Sequence, residues 1–142
     1  MTQESIFLPV LALAALTILV LMFAAGKRFR AAGAGHVTPG DFALGESANV
    51  PGHVALGNRN YMNLLEIPVL FYVVCLALYV TGTVDGLAMN LAWAYVALRL
   101  IHSLVHLTYN NVIHRLAVFA ISNFVLTALW VVFAMRVVDA AA

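Results

Sequence analysis

Charged residues are scarce in this sequence. Only 9% of the 142 residues are Asp, Glu, Lys or Arg, and 64% are hydrophobic, whereas a soluble domain has about 25% charged residues. The seven basic and six acidic residues leave a formal net charge of +1, so the basic stripe typical of DNA- or RNA-binding proteins is not expected. The composition excludes an ordinary soluble domain and argues against nucleic acid as a partner.

Cysteine is almost absent as well. Cys75 is the single cysteine, so the chain can form no internal disulfide, and its place within an apolar run predicts a thiol that packs as a small hydrophobic group. Other potential metal ligands are His36, His53, Asp41 and Glu46. Their spacing matches no compact metal site, and we expect no metal there.

Long apolar runs account for most of the chain. Four of them are long enough to cross a hydrocarbon core of about 30 Å as helices that rise about 1.5 Å per residue. They cover residues 6–25, 64–80, 87–107 and 116–135. The sequence therefore predicts a single all-α domain over residues 1–142, an integral membrane four-helix bundle with one long non-spanning segment at residues 26–61.

Basic residues predict the orientation of the bundle, because Lys and Arg are retained on the cytoplasmic side of a membrane. The connection after the third run contains Arg115, and the connection after the first contains Lys27, Arg28, Arg30 and Arg59. The second connection and the C-terminal end are poor in basic residues by comparison. We therefore expect the first and third connections to be cytoplasmic and both termini to face outward.

The third apolar run contains a polar face. At about 100° per residue, His102, Ser103, His106 and Asn110 all lie within about 60° of Arg99 on a helix. A charge inside a membrane-spanning helix costs roughly 3 kcal/mol on insertion scales, so it is normally retained for a partner, a ligand or a proton path.

Polar residues of other helices are predicted to meet this face. Asn63 and Glu66 begin the second helix at the membrane level of His106, and Arg59 and Arg115 flank the same side. One interpretation is structural, with Glu66 neutralising an arginine and the histidines bonding across the bundle. In the other, the excess of arginines binds a small anionic cosubstrate. All of these polar groups can reach one cavity on the cytoplasmic side of the bundle. The residues expected there are Asn63, Glu66, Arg99, His102, His106, Asn110 and Arg115.

Three motifs carry a resemblance to a known family. They are Asn63-Leu-Leu-Glu66-Ile-Pro68, Arg99-x-x-His102-x-x-x-His106, and Arg115 sixteen residues after Arg99. Together they resemble the MAPEG family, the membrane-associated proteins in eicosanoid and glutathione metabolism. The stretch from Arg99 to Asn110 is most similar to the bacterial branch, which implies a bacterial inner membrane. The resemblance extends from Arg59 to about Met135, and the first helix agrees only in topology.

This resemblance implies a homotrimer that binds glutathione between subunits, near the cytoplasmic side, and acts on a lipophilic substrate or lipid from the membrane. Arg115 matches the family arginine near the sulfur, and is the candidate catalytic residue. Two positions depart from the pattern: His106 replaces a common tyrosine, and Leu116 replaces a serine of one prostaglandin-synthase member. The candidate glutathione contacts are Arg28, Arg30, Arg59, Asn63, Glu66, Arg99, His102, His106 and Asn110.

The leading functional hypothesis is a membrane glutathione S-transferase or glutathione-dependent peroxidase that acts on lipophilic electrophiles through an arginine-stabilised thiolate. A non-catalytic lipid-binding or scaffold protein of the same fold is the first alternative. The second is a metal protein in which His102 and His106, spaced i and i+4, bind a metal together with Glu66. The sequence does not discriminate between glutathione and another small thiol.

Overall fold

A computed structural model describes residues 2–142, and every regular element in this range is helical. Within it, four segments are long and apolar enough to cross a membrane, which confirms the predicted all-α, multi-pass membrane fold. The second of these segments contains two helices. The helices are α1 (Phe7–Gly33), α2 (Gly52–Leu65), α3 (Pro68–Val80), α4 (Gly86–Leu107) and α5 (Val112–Ala141), with short 3₁₀ turns at Gln3–Ile6 and Pro39–Phe42.

The helices extend beyond the apolar runs. α1 continues through Lys27 and Arg28 to Gly33, and α2 begins at Gly52, so the predicted non-spanning segment at 26–61 contracts to a connection of residues 34–51. Hydropathy marks where a helix is apolar but not where it ends, and lysine and arginine are good helix formers. Hydropathy alone therefore places the polar ends of α1 and α2 in the connection.

A break separates α2 from α3. Pro68 begins α3 and has no backbone N–H, so it cannot donate to the carbonyl of Leu64 as the next turn of a continuous helix requires. The last α2-type hydrogen bond runs from the Glu66 N–H to the carbonyl of Met62. The break leaves carbonyl groups free at the C-terminal end of α2.

Local capping positions the turn between α4 and α5. Asn110 adopts a positive φ of 45°, a left-handed conformation that asparagine tolerates better than most residues. Its N–H donates to the carbonyl of Val105 at 2.8 Å. Asn111 then caps α5, because its side-chain oxygen accepts from the N–H groups of Ile113 and His114. These two asparagines place the start of α5 beside the end of α4.

The core lies between the helices, and α4 contributes the largest set of buried residues. Phe71 of α3 stacks on Tyr95 of α4, with ring centroids 4.9 Å apart, and both side chains are fully buried. α1 and α2 approach closely at Gly57, where an added Cβ would lie 3.2 Å from the Cα of Ala24. Small residues at such crossings are typical of membrane helix packing.

Residues 34–51 form an ordered connection with a small core of their own, in which Val37 and Val50 are buried with Val54. Asp41 organises it by accepting hydrogen bonds from Ser47, Thr38 and Asn49. The bond from Ser47, followed by those from Thr38, lowers the pKa of the Asp41 carboxyl well below its usual value. The connection therefore has a defined shape against the ends of α1 and α2.

Candidate functional site

The α2–α3 break creates the first contact of the site. Arg99 donates from Nη2 to the carbonyl oxygen of Asn63 at 2.8 Å and to its side-chain oxygen at 2.6 Å. Arg99 thus satisfies the end of α2, where the helix dipole favours a cation. Sequence reasoning missed this capping role. Pro68, five residues after Asn63, was the signal that could have indicated it.

The rest of the Arg99 guanidinium has no partner. The side chain is completely buried, and its Nε and Nη1 atoms make no hydrogen bond. Its Cζ lies 5.8 Å from the centroid of the Phe119 ring. Across residues 2–142, the ion pairs are Arg28 with Glu46 and Arg136 with Asp85. Since a buried charge without a counter-charge is costly, this region carries uncompensated positive charge.

Two histidines line the same side of α4. His102 and His106 are both buried, and their ring centroids lie 5.7 Å apart in an edge-to-face arrangement. The Nδ1 atom of each ring is buried without a hydrogen-bond partner. A buried polar group without a partner is uncommon and calls for an explanation, which a bound ligand or an ion can supply.

Arg115 is held in place by the turn that precedes α5. Its Nη1 donates to the side-chain oxygen of Asn110 at 2.8 Å and lies 3.3 Å from Nε2 of His106. Because a guanidinium can only donate, Nε2 of His106 acts as the acceptor, and a neutral His106 carries its proton on Nδ1. Asn110 and His106 together orient the Arg115 guanidinium.

Two cavities flank the Arg115–Asn110 pair. The first, of about 240 Å³, is lined by Asn63, His102 and Arg115 together with Val112, Leu116 and Phe119. The second, of about 620 Å³, lies between residues 46–50, one face of α2 that includes Arg59, and Asn110. Because Asn110 lines the second cavity and accepts a hydrogen bond from Arg115, which lines the first, the two cavities are neighbours.

The model of the MAPEG family matches residues 6–135 of the chain. This chain belongs to the MAPEG family. The match includes α1, which sequence reasoning had related to the family by topology only, and the family includes glutathione transferases and peroxidases. Comparisons with curated proteins and with solved structures gave no significant match.

Most of the residues predicted for a MAPEG site are brought together. One group surrounds the first cavity or contacts Arg115, and Arg59 lines the second. That group consists of Asn63, His102, His106, Asn110 and Arg115, and Arg99 joins it through its hydrogen bonds to Asn63. Sequence reasoning overlooked Asn60, which is buried in α2 and whose side-chain oxygen lies 3.3 Å from the Ser103 hydroxyl.

Three other residues predicted as glutathione contacts line neither of the two cavities. Glu66 is exposed at the α2–α3 break and forms no ion pair with Arg99 or Arg115 within residues 2–142, so the predicted neutralisation is not observed. Arg28 is paired with Glu46 at 3.2 Å and lies over the Phe42 ring. Arg30 is exposed on the last turns of α1.

The metal alternative requires His102, His106 and Glu66 to lie together. In the part of the chain that the structure describes, no group of three His, Cys, Asp or Glu side chains is placed to hold a metal ion. His102 and His106 point their rings edge to face, and the exposed Glu66 does not join them. What the arrangement offers is a set of fixed cations and imidazoles beside two cavities.

Proposed function

We propose that this MAPEG protein is a membrane glutathione S-transferase or glutathione-dependent peroxidase that acts on lipophilic electrophiles. The supporting observation is the Arg115 guanidinium, which Asn110 and His106 orient at a cavity that no carboxylate of residues 2–142 neutralises. A fixed and uncompensated guanidinium is suited to an anionic ligand.

Arg115 is the proposed catalytic residue. A free thiol has a pKa of about 8.5, and only its thiolate is a strong nucleophile. A guanidinium beside the sulfur stabilises the thiolate and so lowers the pKa of the bound thiol. In conjugation, the thiolate sulfur forms a bond to the electrophilic carbon, the leaving group departs with the electron pair of its bond, and the thiol proton passes to solvent.

The remaining residues fit a small anionic peptide. Glutathione has two carboxylates besides its thiol, and Arg59, Arg99 and Arg115 provide the positive charge of this region. In the proposal, His102 and Asn63 contact the peptide from the wall of the first cavity. The unpartnered Nδ1 atoms of His102 and His106 gain partners, directly or through water, when the peptide is bound.

The active form is proposed to be a homotrimer in which a neighbouring subunit completes each site. Arg28 is engaged by Glu46, whereas Arg30 is exposed and available to an adjacent copy. Association of membrane helices depends on close packing and interhelical hydrogen bonds. Native mass spectrometry in gentle detergents should give trimers, and monomers alone would contradict this part of the proposal.

The site is proposed to face the cytoplasm of a bacterial cell, with the protein in the inner membrane and both termini outside. Lys27, Arg28, Arg30, Arg59 and Arg115 all lie at the end of the bundle that carries the site. Their charge favours retention on the cytoplasmic side, where small thiols are kept reduced.

Titration of the purified protein with glutathione tests the function. Thiolate formation on binding should appear as absorbance at about 240 nm at neutral pH, and turnover of a lipophilic electrophile should accompany it. S-methylglutathione is the matched control, because it occupies the site without a thiol and should bind without the absorbance. Absence of glutathione binding by an intact oligomer would contradict the proposal.

A non-catalytic lipid-binding protein is the second candidate, and a specific cavity favours it. This cavity, of about 420 Å³, lies between α1, the 34–51 connection and α2, and most of its lining side chains are apolar, among them Leu21, Phe29, Val37 and Phe42. Saturable binding of a fatty-acid probe that glutathione does not affect, together with no thiolate signal, would favour this function.

A further inference from the structure

We propose that His106 is a positioning residue that acts through Arg115, by accepting a hydrogen bond from the guanidinium as a neutral imidazole. The inference rests on the proposed function and deepens it, because it says how the catalytic arginine is held. The Nη1 atom of Arg115 lies 3.3 Å from Nε2 of His106 and 2.8 Å from the side-chain oxygen of Asn110. Two acceptors therefore share one nitrogen of Arg115.

The guanidinium of Arg115 keeps free donors after these two contacts. An arginine carries five N–H groups in a planar fork, two of them on Nη1. Asn110 and His106 each accept one of these two, and no hydrogen bond within residues 2–142 uses Nε or Nη2 of Arg115. Because Arg115 also lines the first cavity, the remaining N–H groups are the ones available to an anionic sulfur there.

His106 can act as this acceptor only in its neutral form. A guanidinium donates and cannot accept, so Nε2 must carry a lone pair and the proton of the ring lies on Nδ1. The side chain is 5% exposed, and no carboxylate of residues 2–142 pairs with Arg59, Arg99 or Arg115. A positive charge on the ring would add to those of the arginines without a counter-charge.

The fold of the α4–α5 turn brings the two partners together. His106 lies on the last turn of α4 and Arg115 on the first turn of α5. Between them, Asn110 has a positive φ of 45°, and its N–H donates to the carbonyl of Val105 at 2.8 Å. The ring of His106 also packs edge to face with His102, with centroids 5.7 Å apart. Arg115 therefore meets an acceptor whose ring is buried and packed.

Removing this acceptor should change the direction of the Arg115 guanidinium but not its charge. A guanidinium held by one acceptor instead of two can rotate, and its free N–H groups then point at the sulfur for less of the time. Stabilisation of a developing charge depends on donors that are oriented before the reaction. The pKa of the bound thiol should therefore rise, whereas the attraction of the site for an anion should be largely retained.

The test compares His106→Leu with His106→Gln in the detergent-solubilised oligomer. Glutamine offers a side-chain oxygen as acceptor, whereas leucine offers none. Since one hydrogen bond to a charged group corresponds to about one pKa unit, His106→Leu should raise the thiol pKa of bound glutathione by about one unit and lower turnover about tenfold at neutral pH. His106→Gln should restore most of both. Thiolate absorbance at about 240 nm, followed as a function of pH, gives the pKa.

Calorimetric titration with glutathione separates binding from positioning. Affinity in His106→Leu should fall by less than turnover does, because the charge of Arg115 remains. His114→Leu is the matched control: His114 precedes Arg115 on α5 but lies 3.1 Å from the hydroxyl of the exposed Tyr109, so its removal should change neither the thiol pKa nor turnover. Asn110→Gly removes the other acceptor of Nη1 and tolerates the positive φ, so it should also raise the thiol pKa.

An unchanged thiol pKa in His106→Leu would overturn the inference. Equal shifts in His106→Leu and His106→Gln would make His106 a packing residue, and a loss of affinity as large as the loss of turnover would make it a ligand contact. An unchanged thiol pKa in Asn110→Gly would contradict the shared nitrogen even if His106→Leu does not assemble. If the wild-type oligomer forms no thiolate with glutathione, the proposed function fails and this inference with it. A wild-type thiolate that no variant affects contradicts only the inference.

Discussion

The two ends of this helical bundle treat their charges differently. At the Asp85 end, which comprises Gln3, Thr83, Val84, Asp85 and Arg136, Arg136 donates to the Asp85 carboxylate and to the Thr83 carbonyl, both at 2.6 Å. Gln3 exchanges two hydrogen bonds with the backbone of Val84, at 2.8 and 3.2 Å. Polar groups there are paired with one another, as expected for contacts that hold the segments of the fold together.

The Arg115 end also contains an ion pair, between Arg28 and Glu46, but a cluster of Arg59, Arg99, His102, His106 and Arg115 shows the opposite arrangement. None of the arginines in this cluster pairs with a carboxylate within residues 2–142, and buried nitrogens of Arg99, His102 and His106 have no partner. Groups left unsatisfied in this way reduce stability. The comparison indicates that the arginines of the two ends differ in whether a carboxylate pairs with them, and the unpaired set is the one proposed to bind an anion.

Cysteine labelling can test which side of the membrane each end of the bundle faces, and each position should be labelled from one side only. A cysteine introduced at Ala48 should be labelled only from the cytoplasmic side of oriented vesicles, and one at Ala141 only from the outer side, because basic residues surround the Arg115 end. Ala48 is exposed, whereas neighbouring Ser47 bonds Asp41 and is a poorer choice. The native Cys75 is fully buried and provides an unlabelled background. Labelling of both positions from outside would reverse the orientation.

Arg115→Ala should cause the largest catalytic loss. Removing a preorganised donor at a developing charge typically costs about 10²–10³ in rate, so turnover should fall at least about 100-fold and the pKa of the bound thiol should rise. Arg115→Lys should recover only part of the rate, since an ammonium lacks the planar guanidinium fork. Stopped-flow absorbance of the thiolate and steady-state turnover measure the two effects.

Arg136→Ala is the control for that experiment, because it removes an arginine from the Asp85 end. It should leave the pKa of the bound thiol and turnover unchanged. If Arg115→Ala behaves like Arg136→Ala in a folded oligomer, the difference between the two ends is not catalytic. The lipid-binding candidate then becomes the better description.

Arg99→Ala should lower stability even without ligand, because it leaves both Asn63 oxygens without their donor at the end of α2. Part-buried acceptors left unpaired and a vacated buried side-chain volume together should cost about 2 kcal/mol or more. Thermal unfolding of the ligand-free protein measures this, and glutathione affinity should fall with it. Unchanged ligand-free stability would contradict the capping role and leave Arg99 as a ligand contact only.

Asp85→Asn should have the smallest effect. Asparagine retains the α4 cap but removes the charge opposite Arg136, and exposed ion pairs contribute only about 0.2–1 kcal/mol. Hydrogen bonding from the Ala88 N–H, together with Arg136, lowers the pKa of Asp85. A carboxylate with a depressed pKa contributes its stability at higher pH and loses it as pH falls below about 4. The stability difference between wild type and variant should be constant near neutral pH and shrink below that range. A difference that persists at lower pH would contradict the ion-pair explanation.

Much of the site could be predicted from the spacing of residues along single helices. The polar face of Arg99, His102 and His106 follows from helical periodicity alone, and these side chains do lie together. The apolar runs likewise predict the four spans, because the length of apolar helix needed to cross the hydrocarbon core can be recognised within one segment of the sequence. The ends of the helices were harder to predict from the sequence, since polar residues such as Arg59 continue a helix as readily as they form a loop.

Contacts between distant segments required the tertiary structure. One of the two interpretations of the sequence paired Glu66 with an arginine, whereas the break at Pro68 leaves Glu66 exposed and presents the Asn63 carbonyl to Arg99. Glu46 received no role beyond a potential metal ligand, although it pairs with Arg28 and lines the cavity of Arg59. Both outcomes depend on how a kink and a connection fold in three dimensions.

By itself, the sequence determined the membrane class, the family motifs and the polar face of α4, because each follows from composition or from a period within one segment. Only the tertiary structure decided which charges are neutralised. Arg136 meets Asp85 and Arg28 meets Glu46 across 51 and 18 residues of sequence, whereas Arg99 and Arg115 meet no carboxylate in the described range. Electrostatic compensation depends on distances between groups that are remote in sequence, and the packing of the helices sets those distances.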